Sequence, residues 1–106
     1  MATYKVLAQS APSATTATTL YTATNAVIVS TLNVSNTGGA ADTIRIAVRP
    51  AGATLANEHY IAYGLQVPSG SLFTYTGGIT LANTDVITIY STTGTSSFSA
   101  FGSEGN

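Results

Sequence analysis

Residues 44–49 read Ile44-Arg45-Ile46-Ala47-Val48-Arg49, bulky apolar side chains alternating with charged or small ones. A period of two marks a half-buried strand, because successive Cβ atoms of an extended chain point to opposite sides of a sheet. Ile44, Ile46 and Val48 therefore form one face and Arg45, Ala47 and Arg49 the other, with the core on the isoleucine side. Isoleucine and valine are stiff at χ1 and favour the strand over the helix. The stretch stops at Pro50-Ala51-Gly52, where proline removes a ladder donor and glycine admits a turn.

Outward from this strand, the same signals recur. Residues 4–9, 18–22, 26–36, 58–67, 71–76, 85–91 and 96–101 read as further strands, separated by turn residues such as Asn36-Thr37-Gly38-Gly39, Pro68-Ser69-Gly70 and Gly77-Gly78. In 58–67, alternation sets His59, Ile61, Tyr63, Leu65 and Val67 on one side and Glu58, Tyr60, Ala62, Gly64 and Gln66 on the other. The fold class is all-β: a single, jelly-roll-like β-sandwich of about eight short antiparallel strands with a flexible N-terminal arm. Residues 1–17 make up that arm, an N-terminal strand followed by a Ser/Thr/Ala/Pro-rich run expected to be mobile without a partner, and residues 18–106 the sandwich. The expected core is Ile28, Leu32, Val34, Ile44, Ile46, Val48, Ile61, Leu65, Ile87 and Ile89.

Composition excludes several classes. Charged residues are 7% of the chain against 44% hydrophobic, with a formal net charge of -1. Disordered chains and nucleic-acid binders both need far more charge, so no nucleic-acid partner is expected. The absence of cysteine removes disulfides and thiolate metal sites. The longest apolar run, Ala26-Val27-Ile28-Val29, is far too short to span a bilayer, and no membrane partner is expected. Met-Ala-Thr-Tyr-Lys lacks the basic-then-apolar order of a signal peptide.

Catalytic chemistry finds little purchase. His59 is the single imidazole, and adjacent Glu58 points to the other side of an extended chain, so a partly buried structural histidine is the expectation. Four carboxylates, Asp42, Glu58, Asp85 and Glu104, show no spacing that pairs two for glycoside hydrolysis or gathers metal ligands. The sequence thus predicts no enzyme, no cofactor and no metal. Asn33-Val34-Ser35 matches a glycosylation sequon, which arises by chance in a chain this rich in Ser and Thr. Arg45 and Arg49 share a strand face about 13 Å apart by strand rise. With Lys5, they are the candidate partner-contact residues, and Glu58 on a neighbouring strand is their expected intramolecular counter-ion. A β protein also carries edge strands that need protection, yet Lys5 is the sole lysine. Sparse charge and unguarded edges both favour life within an assembly.

Several blocks resemble a family of small virion structural proteins of tailed bacteriophages: Leu20-Tyr21-Thr22, Arg45-Ile46-Ala47-Val48-Arg49-Pro50-Ala51-Gly52-Ala53, Ala56-Asn57-Glu58-His59-Tyr60-Ile61-Ala62-Tyr63, Gly78-Ile79-Thr80-Leu81-Ala82 and Ser99-Ala100-Phe101-Gly102-Ser103. The likeness runs from about residue 18 to residue 104. It departs at Ala23-Thr24-Asn25, where a Pro-Ala-Gly turn is commoner. What the resemblance implies is a compact sandwich located in the virion, a capsid decoration (cement) protein that stabilises the shell. Its implied partners are the major capsid protein or other virion subunits, and sister copies in a homo-oligomer, a dimer or trimer. A tail, collar, baseplate or fibre component is the alternative, and a carbohydrate-binding module the remoter one.

Overall fold

The computed structural model describes residues 3–105, with the backbone alone at residues 3 and 4. Residues 1 and 2 of the expected arm and residue 106 of the expected sandwich lie outside the described residues. Among the described residues nine strands follow in order: β1 (Thr3–Ser10), β2 (Thr18–Thr22), β3 (Val27–Asn36), β4 (Asp42–Arg49), β5 (Tyr60–Val67), β6 (Leu72–Tyr75), β7 (Ile79–Leu81), β8 (Val86–Ser91) and β9 (Ser96–Glu104). The strand not foreseen is β7, which pairs with the Val27–Val29 end of β3 while β6 pairs with its Leu32–Ser35 part. Short 3-10 turns cover Pro50–Gly52 and Asn57–His59.

All strand pairings are antiparallel, in two sheets. The first has the order β1-β9-β3-β6 with β7 also on β3, and the second the order β2-β8-β4-β5. β1 pairs with β9, β2 with β8, β3 with β6 and β7, and β4 with β5. The chain is thus one long hairpin rolled about the β4–β5 connection, the jelly-roll form of sandwich. Val29, Leu32, Val34 and Phe98 from the first sheet meet Ile44, Ile46, Ile87 and Ile89 from the second, all essentially inaccessible to solvent. Each such side chain contributes about 1.5–3 kcal/mol by leaving water.

Most of the expected core is there, with Val48 and Leu65 half-buried against it. Two members are not: Ile28 is 54% exposed and Ile61 42% exposed. A bulge explains each, since one extra residue on one strand flips the side-chain phase beyond it. On β3, Val29 lies opposite Gly102 and Thr31 opposite Phe101, so Ser30 is the inserted residue. Alternation counted from Leu32 therefore fails at Ile28, while Val27 and Val29 turn inward. Gly102 makes this approach possible, because a Cβ there would collide with the carbonyl oxygen of Ile28. On β5, Leu65 lies opposite Ile44 and Tyr63 opposite Arg45, leaving Gly64, at φ 70°, as the bulge. A second irregularity follows at Ile61, since Ala62 faces Ile46 and Tyr60 faces Ala47. Leu65 and Val67 consequently point inward but Tyr63 outward.

The arm, expected to be mobile without a partner, lies against the sandwich in this structure. Its strand, β1, forms an edge of the first sheet, in register from Thr3 opposite Glu104 to Ser10 opposite Phe98. The chain then crosses to the second sheet, burying Pro12 and donating a hydrogen bond from the Thr15 N–H to the Ser91 carbonyl at 2.9 Å.

Two predictions follow from this arrangement. Ile46→Ala should lower the unfolding free energy by about 2–5 kcal/mol, as for other buried large-to-small changes, whereas Ile61→Ala should cost less than about 1 kcal/mol, as surface changes do. Denaturant titrations of both variants check it, and equal costs would mean the β5 bulges are misplaced. Deleting residues 1–10 should uncover the β9 edge and lower the melting temperature by several degrees, read by differential scanning calorimetry; an unchanged midpoint would show that β1 contributes no stability.

Candidate functional site

Nearly every charged side chain is committed to holding the fold. Asp42 is wholly buried at the start of β4; it accepts hydrogen bonds from the Ser91 and Ser96 hydroxyls and, at 2.9 Å, from the Thr93 N–H. Burial alone would raise its pKa, but these donors together outweigh that and hold the carboxyl below its ordinary value. Asp85 accepts from the Ala51 N–H at 2.8 Å and the Ala82 N–H at 2.9 Å, which likewise lowers its pKa. Glu104 accepts from the Tyr21 hydroxyl at 2.7 Å and pairs with Lys5 at 2.9 Å. Burial, then the bond to Glu104 and its charge, push the Tyr21 hydroxyl up to about 12.

Lys5, Arg45 and Arg49 do not form one surface. Lys5 belongs to β1 in the first sheet, paired with Glu104, while the arginines lie on β4 in the second. Arg49 donates from Nε to Thr88 Oγ1 at 3.0 Å and from Nη1 to the Ala53 carbonyl at 3.1 Å. Neither arginine pairs with Glu58, their expected counter-ion. Glu58 stands on the exposed 3-10 turn Asn57–His59 rather than on a strand, and β5 begins only at Tyr60. Its neighbour His59 accounts for that turn: Nδ1 accepts the Ala56 N–H at 3.0 Å, which folds the chain back on itself. Half-buried and so engaged, His59 has no carboxylate or hydroxyl partner, and no group of three metal-ligating residues occurs among the described residues.

Arg45 has a different setting. It lies in register with Tyr63 on one neighbouring strand and Tyr90 on the other, and both rings close on its guanidinium. Cζ is 4.4 Å from the Tyr63 centroid and 4.3 Å from that of Tyr90. Tyr60 packs edge-to-face on Tyr63, with centroids 4.9 Å apart. Beside this stack lies a groove of about 230 Å³ lined by Arg45, Leu55, Tyr60, Thr88 and Tyr90, with Thr15 of the crossover at its margin. No protein acceptor meets the guanidinium N–H groups among the described residues. Simple alternation places Tyr63 on the side of Leu65, and Gly64 inside the strand is the sequence signal of the bulge that reverses it.

On the opposite side of the molecule, Val6, Ile28 and Phe101 form a shallow apolar depression of about 620 Å³ on the outer face of the first sheet, bordered by Lys5, Ser30 and Ser103. The bulge at Ser30, whose hydroxyl donates to the Phe101 carbonyl at 3.2 Å, brings Ile28 to this face. No protein-family model, curated protein or solved structure matches the chain.

The Asp42 network gives a pH prediction. Its pKa is depressed in the fold, so its contribution to stability is present above the unfolded value of about 4 and is lost as pH falls through the lower folded value. Asp42→Asn should therefore be less stable than the parent at pH 7, with the gap closing below about pH 4. Melting temperatures of the two proteins across that range test it, and a gap independent of pH would exclude the carboxylate as its source.

Proposed function

We propose that this chain is a structural protein of a tailed-phage virion, a capsid decoration protein that docks on the assembled shell, stabilises it and acts as a homo-oligomer. The observation that carries the reading is the character of the outer surface. Lys5, Asp42, Asp85 and Glu104 are engaged inside the subunit. Val6, Ile28, Ile61, Tyr63 and Leu72, meanwhile, stand exposed over both sheets. A small sandwich so poor in free charge gains by having these side chains covered. Jelly rolls serve in viral capsid and lectin domains, an association of fold with use that supports the reading without carrying it. The sequence blocks that resemble tailed-phage virion proteins point the same way.

Glycan binding is the reading that the tyrosine cluster favours. Tyr63 and Tyr90, however, lie against Arg45, and Tyr60 lies against Tyr63, so the rings brace one another instead of offering an open stacking platform. The assembly reading is accordingly preferred.

Imaging of virions from a phage that encodes the chain tests the proposal. Sandwich-sized density repeated on the capsid lattice is expected, together with shells that rupture at lower temperature when the gene is deleted. Density confined to the tail, or absence of the chain from purified particles, would overturn the decoration role.

A further inference from the structure

Among the described residues, hydrogen-bond or ion-pair partners can be found for two of the three cations and three of the four acids. What remains is one of each sign: Arg45, whose N–H edge meets no acceptor, and Glu58, exposed on the turn that leads into β5. They belong to one side of the molecule, since β5 is the edge strand of the second sheet and pairs directly with β4. Between and around them are the side chains that interfaces favour. Tyr63 is 62% exposed and Ile61 42% exposed, with Tyr60 half-buried beside them. Tyrosine and arginine dominate the energetics of protein interfaces, and unpaired charges of opposite sign on one surface make that surface complementary to itself under a twofold axis.

We propose that the β5 side of the second sheet is the interface of a twofold dimer, in which Arg45 of each copy donates to the Glu58 carboxylate of the other. This inference names the contact within the homo-oligomer of the reading above and rests on that reading for its setting. The rings of Tyr63 and Tyr90 close on the Arg45 guanidinium from its two neighbouring strands, and its N–H groups, which meet no acceptor in the subunit, are left for a carboxylate, with which arginine forms a bidentate pair. The bulges at Gly64 and Ile61 interrupt the pairing of β5 with β4 and distort this edge strand. They oppose open-ended strand pairing along this edge and leave side chains, not backbone, to make the contact.

Sedimentation velocity on the purified chain tests the pairing. The parent should form a dimer at micromolar concentration. Arg45→Glu and Glu58→Arg, each alone, should weaken dimerisation by roughly tenfold or more, because each places like charges opposite one another twice. Mixing the two singly reversed proteins should restore the dimer, since a twofold heterodimer then carries two opposite-sign pairs, and the doubly reversed chain should dimerise like the parent. Circular dichroism confirms that each variant is folded; should Arg45→Glu unfold, Glu58→Arg against Arg45→Gln supplies the comparison, with both expected to weaken the dimer. A monomeric parent, a dimer indifferent to the Glu58 reversal, or a mixture that fails to reassociate would overturn the proposal. Because the measurement uses the isolated chain, a monomer refutes this interface and a homo-oligomer in solution but not residence in the virion, and absence from the particle refutes only the virion reading.

Discussion

One buried carboxylate closes the end of the sandwich where the chain passes from one sheet to the other. Asp42 begins β4, Ser91 ends β8, Thr93 lies in the following turn and Ser96 opens β9. The first two belong to one sheet and the last to the other, so a single side chain fixes their separation. An isolated carboxylate in this position would cost many kcal/mol; with both oxygens accepting, it becomes a strong and directional tie. Asn36 repeats the device beside it. Its Nδ2 donates to the carbonyls of Ala40 and Val67, and its Oδ1 accepts from the Gly38 N–H and the Thr95 hydroxyl. The link of Tyr21 through Glu104 to Lys5 joins β2 of one sheet to β9 and β1 of the other. A chain with so few charges uses them mainly as fasteners.

Those fasteners explain which parts of the fold could be read from the sequence. β4 was legible because it pairs with β8 without a break over Ile44–Arg49, so burial alternates from Asp42 to Ile46, although Ala47 on the other face is buried as well and Val48 only half-buried. β3 and β5 were legible as strands but not as faces. Each contains an inserted residue, and an insertion moves every side chain beyond it to the other side. Glycine at position 64 hints at one bulge, but nothing about Ser30 in isolation announces the other. That bulge depends on Gly102, more than seventy positions away, admitting the Ile28 carbonyl. A three-residue strand such as β7 likewise exists only because β3 offers it an edge. The course of the arm is hidden for a related reason: Ser, Thr, Ala and Pro in sequence carry no sign of the Ser91 carbonyl that receives Thr15.

The candidate site was legible in part. Arg45 and Arg49 stand out by their rarity, and their shared face follows from the alternation of β4. Their different fates do not, because those depend on the neighbours that the ladder supplies. Arg49 lies near a threonine and a free carbonyl, which take up its donors. Arg45 lies between two tyrosines, which take up its faces but offer its N–H edge nothing. Glu58 was expected to serve both, on the premise that it lay in a strand; the bond from Ala56 to His59 coils that segment instead and turns the premise aside.

The tyrosine clamp has a further energetic meaning. Holding an arginine in one rotamer costs up to about 2 kcal/mol of side-chain entropy. A cation–π contact at a partly exposed site returns about 0.5–1 kcal/mol, so two of them offset that cost approximately. The clamp is therefore close to neutral for folding, and its stabilising value cannot be the reason for two tyrosines converging on one guanidinium. Under the proposed pairing, its effect is on association. A flexible arginine must be ordered when it meets an acceptor, whereas this one is ordered already, and the free energy of the encounter is not spent on fixing it. A half-buried guanidinium also interacts more strongly with a carboxylate than one fully in water, because less solvent stands between them. A preordered, partly desolvated cation with its donor edge open is what an interface needs and what an isolated surface has no use for.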